Sequence, residues 1–484
     1  MKNIKRNLLE WIDENQGQFN DIADEMWQLP ELAMQEFNSS RLLKDVLKKY
    51  GFSVTENVAG MPTAFVATYG EAGPVVGLSA EYDALDGLSQ KMVDKQDPIV
   101  EGGPGQGCGH NILGTCAVMA AIALKETMDS QKTPFRIKLF GTPAEELCVG
   151  KPFMGRSGLF EGVDFFLDWH PLFFNKCGFE VSSAYFNVKY HFHGRSSHGN
   201  SPWLGRSALD GAFLTGSAIE MLREHIPPGP ESAPNSINYT FPDVGGNSPG
   251  VVPEKATIWI IGRAASTEVL TDMMDRVEAC AQAGALGSGT TVEKELITAV
   301  HERMPNKTLS KVMYDNFVEI GVPPYTEEEH DAVKEMQKSA GMGETGIDTE
   351  IQPFNGGFIS VTDASEYSWN APYASSWIAA GPGGGWWHNW IVTVCMGGSI
   401  AQKAMNTGAK VIAATAFDMI TNPETIEKAQ EEFRERMGED TYKSLIPMDI
   451  DPPVDLNKDV MESYHKKLSS IEESIRKGDQ NNEQ

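Results

Sequence analysis

The chain has 484 residues, 41% of them hydrophobic and 22% charged, the composition of a folded protein long enough for more than one domain. Lys and Arg number 40 against 67 Asp and Glu, a formal net charge of −27, and so acidic a surface argues against nucleic acid or an anionic membrane as partner. Six scattered cysteines, at 108, 116, 148, 177, 280 and 395, make no disulfide framework and point to a reducing compartment.

At the N-terminus, charged residues interrupt Leu8, Leu9, Trp11 and Ile12 at helical spacing. No uninterrupted apolar segment of signal-peptide type is expected there, and no run approaches the 18 apolar residues of a membrane span. The expectation is a cytoplasmic protein. Periodicity predicts helices over 4–29 and 39–50, the second closed by Gly51. Strand-like runs follow at 64–68 and 75–79, then an almost wholly apolar helix over 113–128. Further strands are predicted at 135–140 and 165–169. Strands alternating with helices indicate an α/β fold, a sheet covered on both faces.

The pattern changes after residue 182. A strand at 185–193, a helix at 207–225, strands near 236–241 and 256–262 and a helix near 268–283 predict a small α+β unit. The boundaries read from this are a discontinuous first domain, 1–182 and 296–484, with an inserted domain at 183–295. Residues 300–350 are polar and helical, and 385–420 return to an apolar pattern ending in a helix. From about 467 the chain is charged and Asn/Gln-rich, and a frayed end is expected.

Four short segments carry metal-type chemistry. Cys108 and His110, separated only by Gly109, can converge on one point from a tight turn, and thiolate with imidazole suits a borderline-soft divalent ion. Glu145 and Glu146 follow the strand at 135–140, where α/β sheets place ligand-binding groups. One carboxylate can bind a metal while its neighbour serves as general base. His170 ends the strand at 165–169. His388 follows Trp386 and Trp387 and a run of three glycines, so the backbone can approach closely beside an aromatic wall. One thiolate, three imidazoles and two carboxylates are the inventory for two neighbouring cations.

With Glu81-Tyr82-Asp83-Ala84-Leu85, Gly107-Cys108-Gly109-His110, Thr142-Pro143-Ala144-Glu145-Glu146, Trp169-His170-Pro171 and His198 in Ser-Ser-His-Gly, the chain resembles the aminoacylase/carboxypeptidase metallohydrolases. Within them it is most similar to the amidohydrolase branch. The resemblance runs from about residue 5 to 460. It implies a two-metal exopeptidase-like catalytic domain carrying an inserted lid and dimerisation domain. It also implies two divalent ions, Zn2+ or Mn2+, held by Cys108, His110, Glu146, His170 and His388. Glu145 would be the general base, Asp83 would orient a ligand, and His198 would polarise the scissile carbonyl, often in the partner's site. Arg263, Asn247 and Trp387 would contact substrate. The implied substrate is a small amide: an N-acyl or aryl-amide amino acid of aminobenzoyl-glutamate type, or a dipeptide. The implied assembly is a homodimer through the lid. Hydrolytic deamination of an aromatic amine and a catalytically inactive binding or regulatory role are the alternatives. Two positions depart from the branch: Asn111 stands where many relatives have Asp, and Gly250 where they usually have Asn.

Overall fold

The computed structural model describes residues 2–482 apart from Lys132 and Asn247. Among the described residues the chain forms eleven strands: β1 Ser53–Glu56, β2 Phe65–Tyr69, β3 Val75–Glu81, β4 Arg136–Thr142, β5 Phe165–Leu172, β6 Lys176–Cys177, β7 Ala184–His193, β8 Ser236–Asp243, β9 Lys255–Ala264, β10 Thr291–Val300 and β11 Tyr373–Ala379. They make two sheets. The larger has the order β1-β2-β4-β3-β5-β11-β6, and the smaller β10-β7-β9-β8.

In the larger sheet β4, β3, β5 and β11 run parallel, and antiparallel strands close both edges. Strand β3 is buried along its whole length, as a central parallel strand covered on both faces must be. On one face lies the helix His110–Met128, with 17 of its 19 residues buried, which explains a sequence apolar all round. It is the one described helix long and apolar enough to cross a membrane, and 83% of its apolar window is buried inside the protein. The helices Lys2–Trp27 and Ser399–Thr421 join it in the main core.

The smaller sheet is antiparallel throughout and is covered by the helices Ala208–Arg223 and Thr267–Ser288. Each helix starts at a serine whose hydroxyl accepts a first-turn N–H, Ser207 from Asp210 and Ser266 from Val269. The architecture is a mixed-sheet α/β domain with an inserted α+β domain. The inserted order is β-α-β-β-α-β, one strand more than the sequence predicts. That strand, β10, has a charged, exposed first half and a buried second half, so no single period marks it. Strand β11 is also absent from the sequence reading, because buried Ser375 and Ser376 interrupt its apolar run. The C-terminal segment is helical over Lys458–Asn482 where fraying is expected. Met461 and Tyr464 anchor it against Leu32 and Val100.

Candidate metal centre and catalytic carboxylates

The four parallel strands end on the same edge of the sheet, where open α/β sheets place their ligands. Glu81 ends β3, Glu145 and Glu146 follow β4, and His388 lies in the loop after β11. His170 is within β5 rather than at its end, because the strand continues to Leu172. Cys108 and His110 arrive from the start of the core helix, through Gly109 at φ 88°. A side chain on Gly109 would lie 2.6 Å from Met396 Sδ and 2.8 Å from Pro171 Cγ, so the turn accepts only glycine.

Cys108 Sγ is the hub. His170 Nε2 is 3.5 Å from it and His388 Nε2 3.4 Å. Two triads of donor atoms share that sulfur, Cys108–His110–His170 and Cys108–Glu146–His388, and within each triad the donors lie within 4.8 Å of one another. A third group, Glu81–His110–Glu145, adjoins them. Glu81 is already engaged there, its Oε1 accepting from buried Lys151 Nζ at 2.8 Å.

Hydrogen bonds fix which nitrogen faces the cluster. The Pro171 carbonyl can only accept, so His170 Nδ1, 2.6 Å away, carries the proton and Nε2 offers its lone pair toward Cys108. Asp83 Oδ1 accepts from His110 Nδ1 at 2.8 Å, which likewise leaves Nε2 facing inward. The other oxygen of Asp83 accepts the Glu146 N–H at 3.0 Å, so one carboxylate positions two members of the cluster.

Glu145 and Glu146 sit on a 3-10 turn, Glu145–Leu147, flanked by two left-handed residues, Ala144 at φ 59° and Cys148 at φ 56°. Non-glycine residues adopt this conformation only where their surroundings hold them there, and such strain gathers at functional sites. The Ala144 N–H donates to Glu36, and the Cys148 carbonyl accepts from Thr298 on β10. His388 is a third strained position, at φ 55°.

Burial, with the charge of Glu81 beside it, raises the Glu145 carboxyl to about 7. Burial raises Glu146 to about 8 despite His110 opposite, and it pushes the Cys108 thiol well above the usual thiol range. Burial and the neighbouring His110 lower His170 to about 4, so it is neutral at pH 7. Three buried atoms at the centre have no hydrogen-bond partner: His110 Nε2, Glu146 Oε1 and Glu81 Oε2.

The remaining predicted residues lie around or away from this centre. Trp387 packs beside Phe173, ring centroids 6.4 Å apart, on segments leading from His388 and His170. Arg263, on β9, stacks on Tyr185, which packs with Cys148 behind the carboxylate turn. His198 is exposed on a loop of the inserted domain, its Nδ1 accepting from the Asn200 N–H, and it joins none of the triads. The next residue, Gly199, donates its N–H to the Gly250 carbonyl, which ties this loop to the turn at 248–251. Asn247 lies outside the described residues. Asn111 turns away from the cluster and donates to the carbonyls of Ala23 and Met396, a helix-anchoring role. Sequence reasoning quotes Glu81 at the head of the motif Glu81-Tyr82-Asp83-Ala84-Leu85 without giving it a role. It passes over Lys151, Thr362 and Asp363, which have no local pattern to mark them.

The model of peptidase family M20/M25/M40 matches residues 77–418. The chain belongs to this family. It is 33% identical to one of the component chains of p-aminobenzoyl-glutamate hydrolase of Escherichia coli (strain K12), with 93% of this chain and 99% of the relative covered. Identity to the Xaa-Arg dipeptidase of Mus musculus is 28%, covering 90% of this chain and 94% of the other. The fold is similar to that of the aminobenzoyl-glutamate utilization protein from Klebsiella pneumoniae, at TM-score 0.57 and 15% identity over 84% of this chain and 97% of that one. It is also similar to YXEP of Bacillus subtilis, a dinuclear metal-binding peptidase, at TM-score 0.54 and 16% identity over 84% and 98%. This M20 chain is a peptidase- and aminoacylase-like hydrolase, as its motifs imply.

Proposed function

We propose that the protein is a two-cation amidohydrolase that cleaves the amide of an N-acyl or aryl-amide amino acid, of p-aminobenzoyl-glutamate type, or of a small dipeptide. The observation that carries this reading is the sharing of one sulfur, Cys108 Sγ, by two triads of donors. The donor set fits divalent cations. Asp83 and Pro171 turn the Nε2 atoms of two imidazoles inward, and buried Glu146 Oε1 and His110 Nε2 have no hydrogen-bond partner, the latter standing 3.4 Å from Glu81 Oε2. Thiolate and imidazole favour Zn2+, while the carboxylate also suits Mn2+. Cys108, His110, Glu146, His170 and His388 would hold the pair.

Bound there, divalent cations supply Lewis-acid polarisation of the scissile carbonyl and lower the pKa of the attacking water. Glu145 takes the proton of that water and returns it to the leaving nitrogen, a role open to a buried carboxylate beside the donor cluster. Asp83 keeps His110 in the ligating tautomer. Trp387 and Phe173 offer an apolar wall for an aryl acyl group, and Arg263 is the candidate for a substrate carboxylate. The relatives named for p-aminobenzoyl-glutamate and Xaa-Arg dipeptides support this range of substrates.

The same reading includes a homodimer through the inserted domain, in which His198 serves the neighbouring chain. Trp203, Leu204, Phe213, Leu214, Met221 and Leu286 are exposed apolar residues of that domain, a surface that calls for cover. All six cysteines are free, which suits a cytoplasmic enzyme. The test is turnover by metal-loaded protein of a panel: aminobenzoyl-glutamate, N-acyl amino acids and Xaa-Arg dipeptides. Hydrolysis of at least one amide supports the reading, and release of ammonia alone from an aromatic amine contradicts it.

A further inference from the structure

We infer that Thr362 is a positioning residue that orients the carboxylate of Glu145, an inference that rests on the reading of Glu145 as general base. Thr362 Oγ1 lies 2.6 Å from Glu145 Oε1 and 3.1 Å from the Ala364 N–H. A backbone N–H can only donate, so it takes up a lone pair of the hydroxyl. In the ionised form in which Glu145 serves as base, its carboxylate can only accept, so the single hydroxyl proton points at it. Oε1 is thereby engaged. Oε2 is left on the side of the ligand cluster, 3.9 Å from His110 Nε2, free to accept from water.

The hydroxyl is itself held in place. Its neighbour Asp363 is fully buried and accepts from the Lys151 N–H at 3.0 Å and from Lys151 Nζ at 2.5 Å. Lys151 also reaches Glu81 at 2.8 Å. Ser365 Oγ donates to the Thr362 carbonyl at 2.9 Å. The segment 362–365 therefore grips the chain after β4 twice, through Glu145 and through Lys151 six residues later. That chain includes the turn with left-handed Ala144 and Cys148, which depends on such contacts to keep its shape. A glutamate has three side-chain torsions, and loss of the donor frees the last of them for unproductive orientations.

The experiment uses the metal-loaded enzyme. Thr362→Val keeps the branched shape and removes both the donor to Glu145 and the acceptor of the Ala364 N–H. The expected result is a fall in kcat of about tenfold, the scale of one hydrogen bond to a charged group, with KM and metal content unchanged and a folded protein of somewhat lower melting temperature. Thr362→Ser should restore most of the rate, and a crystal structure of Thr362→Val should show the Glu145 carboxylate rotated. Should Thr362→Val fold poorly, Thr362→Ala against Thr362→Ser makes the same comparison. In a Glu145→Gln background, Thr362→Val should cost little more. Wild-type kcat in Thr362→Val with Glu145→Gln inactive overturns the positioning role alone. Equal loss in the Ser and Val variants overturns it too. Near-normal turnover by Glu145→Gln overturns the base assignment beneath it.

Discussion

Glu145 and Glu146 are neighbours in sequence, and the fold gives them different surroundings. Glu146 has its N–H held by Asp83 and one carboxylate oxygen 3.9 Å from His388 Nε2, facing a ligand triad. Glu145 accepts a hydroxyl proton through one oxygen and keeps the other open. Glu145→Gln, which keeps shape but cannot take a proton, should retain metal and fold and lose kcat by about 10²-fold or more. Glu146→Gln should lose metal as well. Metal analysis alongside kinetics distinguishes them, and a reversed pattern would exchange the two roles. A second buried pair governs stability. Glu366 Oε1 accepts from the backbone N–H of His301 and from Nδ1 at 2.7 Å, while Oε2 accepts from Tyr442. Burial would lower the His301 pKa, but Glu366 outweighs it and raises it above 6.5. Burial would raise Glu366, but His301 outweighs it and lowers it below 4.5. The stabilisation of the histidine is complete below pH 6.5 and lost as pH rises through its raised value. That of the glutamate is present above pH 4.5 and lost as pH falls through its lowered value. Glu366→Gln should therefore cost most between these limits, about 3 kcal/mol for a broken buried pair, and less at pH 9. Urea unfolding at pH 6 and pH 9 reads the difference, and an equal cost at both would exclude the charged pair.

At the scale of elements, the helices Ala208–Arg223 and Thr267–Ser288 cover the smaller sheet with one face and leave Phe213, Met221 and Leu286 exposed on the other. If that stripe is the dimer interface, Phe213→Glu with Met221→Glu should yield folded monomers. These should keep their metal and lose turnover, because His198 would no longer reach a partner. Sedimentation velocity and metal analysis check this, and fully active monomers would mean that His198 acts within its own chain or not at all. The elements legible in the sequence share one trait. Where a strand or helix is almost wholly apolar, as over 75–79 and 113–128, or roughly alternating, as over 185–193, the reading and the fold agree within a few residues. Besides the short edge strands β1 and β6, the failures are β11, with its two buried serines, and β10, which changes from exposed to buried halfway. The latter two owe their burial to strands distant in sequence, β5 and β7, which no local window contains. The same holds at the site. Cys108, His110, Glu145 and Glu146 stand in short motifs and are legible. Lys151, Thr362 and Asp363 reach the site only through tertiary packing and carry no local mark.

For the whole molecule, the parallel strands deliver their ends to one edge, the core helix brings Cys108 and His110 to the same edge, and the loop after β11 adds His388. The inserted domain joins this assembly through Thr298 of β10, whose hydroxyl donates to the carbonyl of Cys148 in the carboxylate turn. Cys108 Sγ is common to two donor triads and would be shared by two neighbouring cations. The most direct measurement is metal content per chain after dialysis, for the wild type and for Cys108→Ala, His170→Ala and His388→Ala. The expected result is about two divalent ions in the wild type, about one in each histidine variant and close to none in Cys108→Ala, the stoichiometry of a shared ligand between neighbouring ions. A wild type that binds no divalent ion, or a folded Cys108→Ala that keeps both, would contradict it.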